Sequence, residues 1–135
     1  MVESTSVVTA SKSADVRDRL ALALDVDDLV TGLRLAKELS PWFGVAKIGL
    51  ELFSASGPDA VASIAACGYR VFLDVKLHDI PTTVGKAARV LGALGASYLT
   101  LHASGGVTML HAGVEGLAEG AEGAGLEPPT ALAVT

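Results

Sequence analysis

The sequence has one cysteine, Cys67, so no internal disulfide can form, and nothing around it has the spacing of a metal-binding cluster. It reads as a small apolar residue packed near a helix end. Positive charge is also scarce: 10 Lys and Arg stand against 15 Asp and Glu, for a net charge of −5. That balance argues against a nucleic-acid or anionic-membrane binder, which needs a basic surface to hold phosphates. A small anionic substrate stays open, because a few local lysines can hold one against an acidic background. No window reaches the roughly 18 apolar residues that cross a bilayer. Met1 to Asp15 is rich in Ser and Thr and lacks the cationic start and apolar core of a secretory signal. These absences predict a cytoplasmic protein with a flexible N-terminal extension over residues 1–18 and neither a nucleic-acid nor a membrane partner.

What the sequence does have is apolar: 50% of its 135 residues are hydrophobic, 19% are charged and the mean hydropathy is +0.50. That is enough for one folded domain, here 19–135. From Arg19 onward a short apolar run ending in a polar residue alternates with an amphipathic stretch. The runs are Leu20–Asp25, Gly44–Gly49, Val71–Lys76, Tyr98–His102 and Ala131–Thr135. Runs of this length without strict alternation suit strands covered on both faces, as in parallel sheets.

The stretches between them read as helices. Asp27 and Asp28 open the first, with Leu29, Leu33, Ala36 and Leu39 at helical steps, and Ser40–Pro41 stops it. The second is predicted over Pro58 to Ala66, ending near Gly68. The third begins after Pro81, and the fourth follows Gly105–Gly106, with a glycine-rich tail (Gly116, Gly120, Gly123, Gly125) expected to fray. The order is that of βαβ units in an α/β fold.

The residues closing the first four strands, at 25, 47, 74 and 102, are spaced 22, 27 and 28 apart. Such spacing suits a flavodoxin-like or Rossmann sheet as well as a (β/α)8 barrel. A nucleotide-binding open sheet usually carries a glycine fingerprint after its first strand. Here that turn is Asp25–Val26–Asp27–Asp28. In barrels the functional residues instead come from the C-terminal ends of several strands, where Asp25, Lys47, Asp74, Lys76 and His102 all fall.

The densest signal is Asp74–Val75–Lys76–Leu77–His78–Asp79–Ile80–Pro81–Thr82–Thr83. On a regular strand Asp74 and Lys76 point the same way, about 6.5–7 Å apart. A salt bridge fastening strand to loop would account for D-x-K-x-x-D in isolation. Inward-pointing charge is costly unless paired, and Lys47 and Asp25 add charges of both signs at neighbouring strand ends. Such a convergence marks a site.

The segment D-x-K-x-x-D-I-P-x-T (Asp74, Lys76, Asp79, Ile80, Pro81, Thr83) resembles the signature of the orotidine 5′-phosphate decarboxylases. Leu22–Asp25, Ala46–Gly49 and His102–Gly106 resemble the same family, and the likeness runs from about Leu20 to Thr135. It implies the N-terminal half, about β1–β5, of a (β/α)8 TIM barrel. It also implies a homodimer in the full-length form, and conversion of orotidine 5′-phosphate to UMP and carbon dioxide, in de novo pyrimidine biosynthesis, with no metal and no organic cofactor. The resemblance would set Asp74 against the substrate carboxylate, while Lys76 stabilises and protonates the carbanion. Lys47 and Asp25 would hydrogen-bond the ribose and orient Lys76, and Asp79 and Thr83 would reach into the partner subunit's site. Catalysis would thus fall to Lys76, Asp74, Asp79 and Lys47, and substrate binding to these with Asp25, Ile80 and Thr83. The reaction belongs among the largest enzymatic accelerations, roughly 10¹⁷-fold. Much of that would come from gripping the remote phosphate and closing a lid.

The remaining candidates are softer. His102 either lines the pocket or is an ordinary hydrogen-bonded strand-end histidine. His78 reads as structural or solvent-facing, His111 as a helix-surface residue, Gly105–Gly106 as a tight turn or as backbone N–H groups presented to an anion at a helix start, and Trp42 as a packing residue.

A (β/α)8 barrel takes about 250 residues, so the phosphate-gripping loop and arginine that the resemblance implies have no counterpart here. The chain alone is expected to be inactive and prone to aggregate through open sheet edges. Two other readings stand beside the decarboxylase. One is a magnesium-dependent sugar-phosphate decarboxylase or hexulose-phosphate synthase of the same superfamily, which would carry an acidic residue where Lys47 stands. The other is a non-catalytic truncated remnant or interaction module.

Overall fold

Short β-branched and leucine-rich runs separated by capped amphipathic stretches leave the chain few ways to bury its apolar surface. A computed structural model describes residues 15–135. Five strands, β1 (Ala21–Ala23), β2 (Val45–Gly49), β3 (Arg70–Leu77), β4 (Tyr98–His102) and β5 (Thr130–Val134), form one parallel sheet in the order β1-β2-β3-β4-β5. Its helices are α1 (Leu29–Leu39), α2 (Leu50–Ser56), α3 (Pro58–Ala65), α4 (Pro81–Gly92) and α5 (Val107–Gly123). Each new strand is added on the same side of the last. Right-handed crossovers then place every helix on one face of the sheet. A doubly wound sheet would reverse its strand order at a switch point; this one does not, and its architecture is that of half a (β/α)8 barrel.

Side-chain alternation divides the sheet into two faces. Leu24, Ala46, Ile48, Val71, Leu73, Leu99 and Leu101 are buried under the helices, where they meet Ala36, Leu52, Val61, Ile64, Val84, Met109 and Leu117. Each fully buried leucine or isoleucine contributes roughly 1.5–3 kcal/mol of transfer free energy. The opposite face carries Ala21, Ala23, Val45, Lys47, Phe72, Asp74, Tyr98, Thr100 and Leu132. Much of it is open: Ala21 and Ala23 are exposed, and Phe72, Tyr98 and Leu132 are half-buried. At its amino-terminal end Arg70 donates to the Tyr98 hydroxyl at 2.8 Å and to the Asp18 carbonyl at 2.7 Å. The Phe72 and Tyr98 rings meet edge to face, with centroids 5.9 Å apart.

Most of the expected elements form where the local chemistry puts them. Asp28 caps α1, its carboxylate accepting the Thr31 N–H at 2.8 Å, which satisfies a donor that the helix leaves free. Pro81 occupies the first turn of α4, where its missing N–H costs nothing. Cys67, half-buried beyond the end of α3, lies 3.5 Å from the Ser63 carbonyl. Of the expected extension over residues 1–18, residues 1–14 lie outside the described residues. Val16–Arg19 form a 3-10 turn, and the Arg17 carbonyl accepts the Gly44 N–H at 2.7 Å.

Three expectations need correction. The stretch after β2 holds two helices rather than one: α2 starts directly from Gly49, and Gly57, at φ 58, separates it from α3. The glycine-rich end of α5 does not fray. Gly116 and Gly120 are buried against α4, where an added Cβ would collide with the carbonyl oxygens of Gly85 and Arg89. Trp42, expected to pack, is 59% exposed.

Candidate active site

The open face ends, at the carboxyl edge of the sheet, in a row of alternating charge. Lys47 stands on β2 between Ala23 of β1 and Phe72 of β3 in the sheet register. Its ammonium lies 3.7 Å from Asp25 Oδ1 and 3.8 Å from Asp74 Oδ2. The Lys76 ammonium donates to both carboxylate oxygens of Asp74, at 2.9 Å each. The order Asp25–Lys47–Asp74–Lys76 thus joins three strands without leaving a net charge. Gly49 leaves room beside the row, since even a Cβ there would stand 3.5 Å from Asp25 Oδ1.

Burial grades the four. The Asp74 side chain is only 11% exposed, whereas that of Asp25 is 66% exposed. The Lys47–Asp25 contact is therefore a screened rim interaction of small energy, and Asp74 is the centre. Burial by itself would push the Asp74 carboxyl up. Hydrogen bonds from Lys76 and Thr100, with the positive charges of Lys76 and Lys47, together outweigh it and hold the group below the ordinary aspartate range.

The pair does not sit on a regular strand, as the sequence predicts. Leu73 pairs with Leu99 and Leu77 with Leu101, so Asp74, Val75 and Lys76 together oppose Thr100 alone. This is a bulge, and within it Lys76 takes φ 48, the left-handed region. Thr100 closes the bulge: its Oγ1 accepts the Lys76 N–H at 2.9 Å and donates to Asp74 Oδ1 at 2.9 Å. Thr100 is 3% exposed and was not among the residues singled out from sequence. Its one signal there is a hydroxyl inside the apolar run Tyr98–Leu99–Thr100–Leu101.

Among the described residues, none of the other predicted site residues shares a hydrogen bond or ion pair with the row within this chain. Asp79 is exposed, and its carboxylate accepts the neighbouring Ile80 N–H at 2.7 Å. Ile80 is exposed at the start of α4, and Thr83 is exposed in its first turn. His102 ends β4 half-buried, its ring 5.0 Å from the exposed His78. His111 is exposed on α5, and Gly106, at φ 89, makes the turn that starts that helix. His78, Asp79, Ile80, Pro81, Ser104 and Gly105 line an open cleft at the ends of β3 and β4. Among the described residues no three His, Cys, Asp or Glu side chains are grouped to hold a metal ion, and no helix is long and apolar enough to cross a membrane.

Chemically, a buried carboxylate and an ammonium in contact, with a second ammonium behind them, can repel one anionic group while neutralising charge that develops beside it. The ammonium is also a proton source.

The family model described as "Orotidine 5'-phosphate decarboxylase / HUMPS family" matches residues 18–135. An orotidine 5'-phosphate decarboxylase of Moorella thermoacetica is 46% identical over 119 residues, covering 88% of this chain and 47% of the relative. One of Lactiplantibacillus plantarum is 55% identical over 89 residues, covering 66% and 38%. Among solved structures, orotidine 5'-phosphate decarboxylase from Lactobacillus acidophilus superposes with a TM-score of 0.73 at 39% identity, covering 88% of this chain and 53% of that one. An uncharacterized conserved protein from Geobacillus kaustophilus does so with a TM-score of 0.77 at 38% identity, covering 85% and 53%. The chain spans about half the length of the curated relatives it matches.

Proposed function

Since the chain belongs to the orotidine 5′-phosphate decarboxylase / HUMPS family, we propose that its charged row is the proton-donating half of a site that converts orotidine 5′-phosphate to UMP and carbon dioxide. The observation that carries this reading is the Asp74–Lys76 pair, both carboxylate oxygens 2.9 Å from one ammonium, with Lys47 behind it.

In the proposed reaction the substrate carboxylate lies against Asp74, and the repulsion between the two is relieved as the carbon–carbon bond breaks. Carbon dioxide leaves, and the bonding electron pair stays on the pyrimidine carbon. The Lys76 ammonium, already beside that position, stabilises the negative charge and then gives it a proton. Asp25 and Lys47 take the ribose hydroxyls and hold Lys76 in line. Asp79 and Thr83, which make no hydrogen bond or ion pair to the row within this chain, are assigned to the partner subunit's site in a homodimer. Ile80 lies beside them. The magnesium-dependent ketose-phosphate reading is less well supported, because Lys47 places a cation where that chemistry would want a carboxylate.

The test is a fusion of this chain to the remaining half of the Moorella thermoacetica relative. The fusion should decarboxylate orotidine 5′-phosphate without added metal, followed by the loss of pyrimidine absorbance. Lys76→Ala should lower kcat by about 10³-fold or more, the scale of losing a positioned proton donor together with its charge. A folded fusion that leaves orotidine 5′-phosphate intact, or that needs magnesium to turn over a ketose phosphate, would defeat the reading.

A further inference from the structure

We infer that Thr100 is a positioning residue of this site: its single hydroxyl, shared between the Asp74 carboxylate and the Lys76 backbone N–H, sets the geometry of the acid–amine pair. The inference rests on the decarboxylase reading for its kinetic consequence, but its structural content stands on the hydrogen bonds alone.

Lys76 is, among the described residues, the one non-glycine residue with positive φ. That conformation is disfavoured for any residue with a Cβ and persists where surrounding contacts enforce it. Here the backbone contact is the Lys76 N–H on Thr100 Oγ1, at 2.9 Å. A hydroxyl has one proton to donate and lone pairs to accept with. Thr100 accepts from the Lys76 amide, which directs its own proton to Asp74 Oδ1, 2.9 Å away. One buried side chain therefore holds the carboxylate from one side and the backbone of the amine from the other. In an unbroken strand, Asp74 and Lys76 would stand side by side. The bulge turns the lysine so that its ammonium meets both carboxylate oxygens.

Valine has nearly the shape of threonine but neither donates nor accepts. Thr100→Val would leave the part-buried Lys76 N–H without its partner and take one hydrogen bond from Asp74. Among the described residues, the charged side chain that meets the pair is Lys47 from β2, itself in contact with Asp25 past the end of β1. On β4 the titratable His102 lies two residues beyond Thr100 on the same strand face. None of these changes in the variant. From β5 the register partner of Thr100 is Leu132, which carries no charge. A changed Asp74 titration in this variant would thus report the lost hydroxyl.

The experiment compares Thr100→Val, Thr100→Ala and Thr100→Ser in the fusion described above, with kinetics, the Asp74 carboxyl titration by carbon NMR and exchange of the Lys76 amide proton. Thr100→Val should lower kcat about 10- to 100-fold, the kinetic equivalent of one hydrogen bond to a charged group. KM should stay within about threefold, the pattern of an interaction that matters in the transition state. The Asp74 midpoint should rise and Lys76 amide exchange should quicken. Thr100→Ser, which keeps the hydroxyl, should restore all three, and Thr100→Ala replaces the valine variant should that one not fold. The inference is overturned by kcat within about twofold of the parent in a folded Thr100→Val or Thr100→Ala fusion with an unmoved Asp74 midpoint, or by Thr100→Ser behaving like valine. Should the parent fusion show no turnover, the functional reading falls, and the Asp74 midpoint with the Lys76 amide then decides the role of Thr100.

Discussion

Lys76 joins two demands that seldom meet in one residue: a backbone conformation suited to glycine and a side chain whose charge pairs with both oxygens of Asp74. The first is testable apart from the second. In most strand interiors, glycine is less stable than alanine by roughly 0.5–1 kcal/mol, because it has more conformational freedom to lose. At φ 48 the order should reverse, because the left-handed region costs a residue with a Cβ about 1–2 kcal/mol. Lys76→Gly should therefore unfold at higher urea than Lys76→Ala, both lacking the amine, with a difference of about 1 kcal/mol at equal slope. An alanine variant as stable as the glycine one would remove the strain from the account. Asp25, Lys47, Asp74 and Lys76 were legible because a charge closing an apolar run has few innocent explanations. Thr100 was not, because a threonine is at home in any strand, and only its cross-strand neighbours give its hydroxyl a task.

At the scale of elements, capped helices were readable and contacts between helices were not. Asp28 and Pro81 mark helix starts by chemistry that acts within one turn. α2 went unread because its seven residues bury only Leu52 and carry no side-chain cap. The glycines of α5 look like a weak helix end when judged by propensity alone, yet two of them let α4 and α5 approach closely. Two substitutions separate these views. Gly120→Ala should destabilise, because the new methyl would meet the Arg89 carbonyl, and overpacking of this kind costs about 1–3 kcal/mol, more than the helix propensity gained. Gly123→Ala, where nothing lies within 4 Å, should be neutral or stabilising by up to about 1 kcal/mol. Thermal unfolding of the two variants side by side checks the contrast, and equal shifts would mean that α5 ends as a propensity argument expects.

At the scale of the molecule, the strand order among the described residues leaves β1 and β5 each paired on one side only. Among the described residues, none of α1–α5 covers the face carrying Phe72, Tyr98 and Leu132, and Asp18 and Arg19 of the 3-10 turn line its amino-terminal end. Such edges and faces seek partners. The 135-residue chain by itself should accordingly associate as its concentration rises and bind a dye that reports exposed apolar surface. It should show no measurable turnover of orotidine 5′-phosphate. Light scattering, dye fluorescence and an absorbance assay read these directly, and a monodisperse, catalytically active 135-residue chain would contradict the expectation.

The sequence by itself determined the α/β rhythm, the parallel sheet and the charges gathered at one end of it, because apolar runs, caps and strand-closing residues act locally and leave local marks. It was enough to place the chain in its family and to name the row Asp25–Lys47–Asp74–Lys76. The tertiary structure alone decided how that row is held: the bulge, the left-handed lysine and the hydroxyl that joins them. It also left Asp79, Ile80 and Thr83 without a hydrogen bond or ion pair to the row within one chain. These depend on which residue of β4 lies opposite which residue of β3, a register that no single segment encodes.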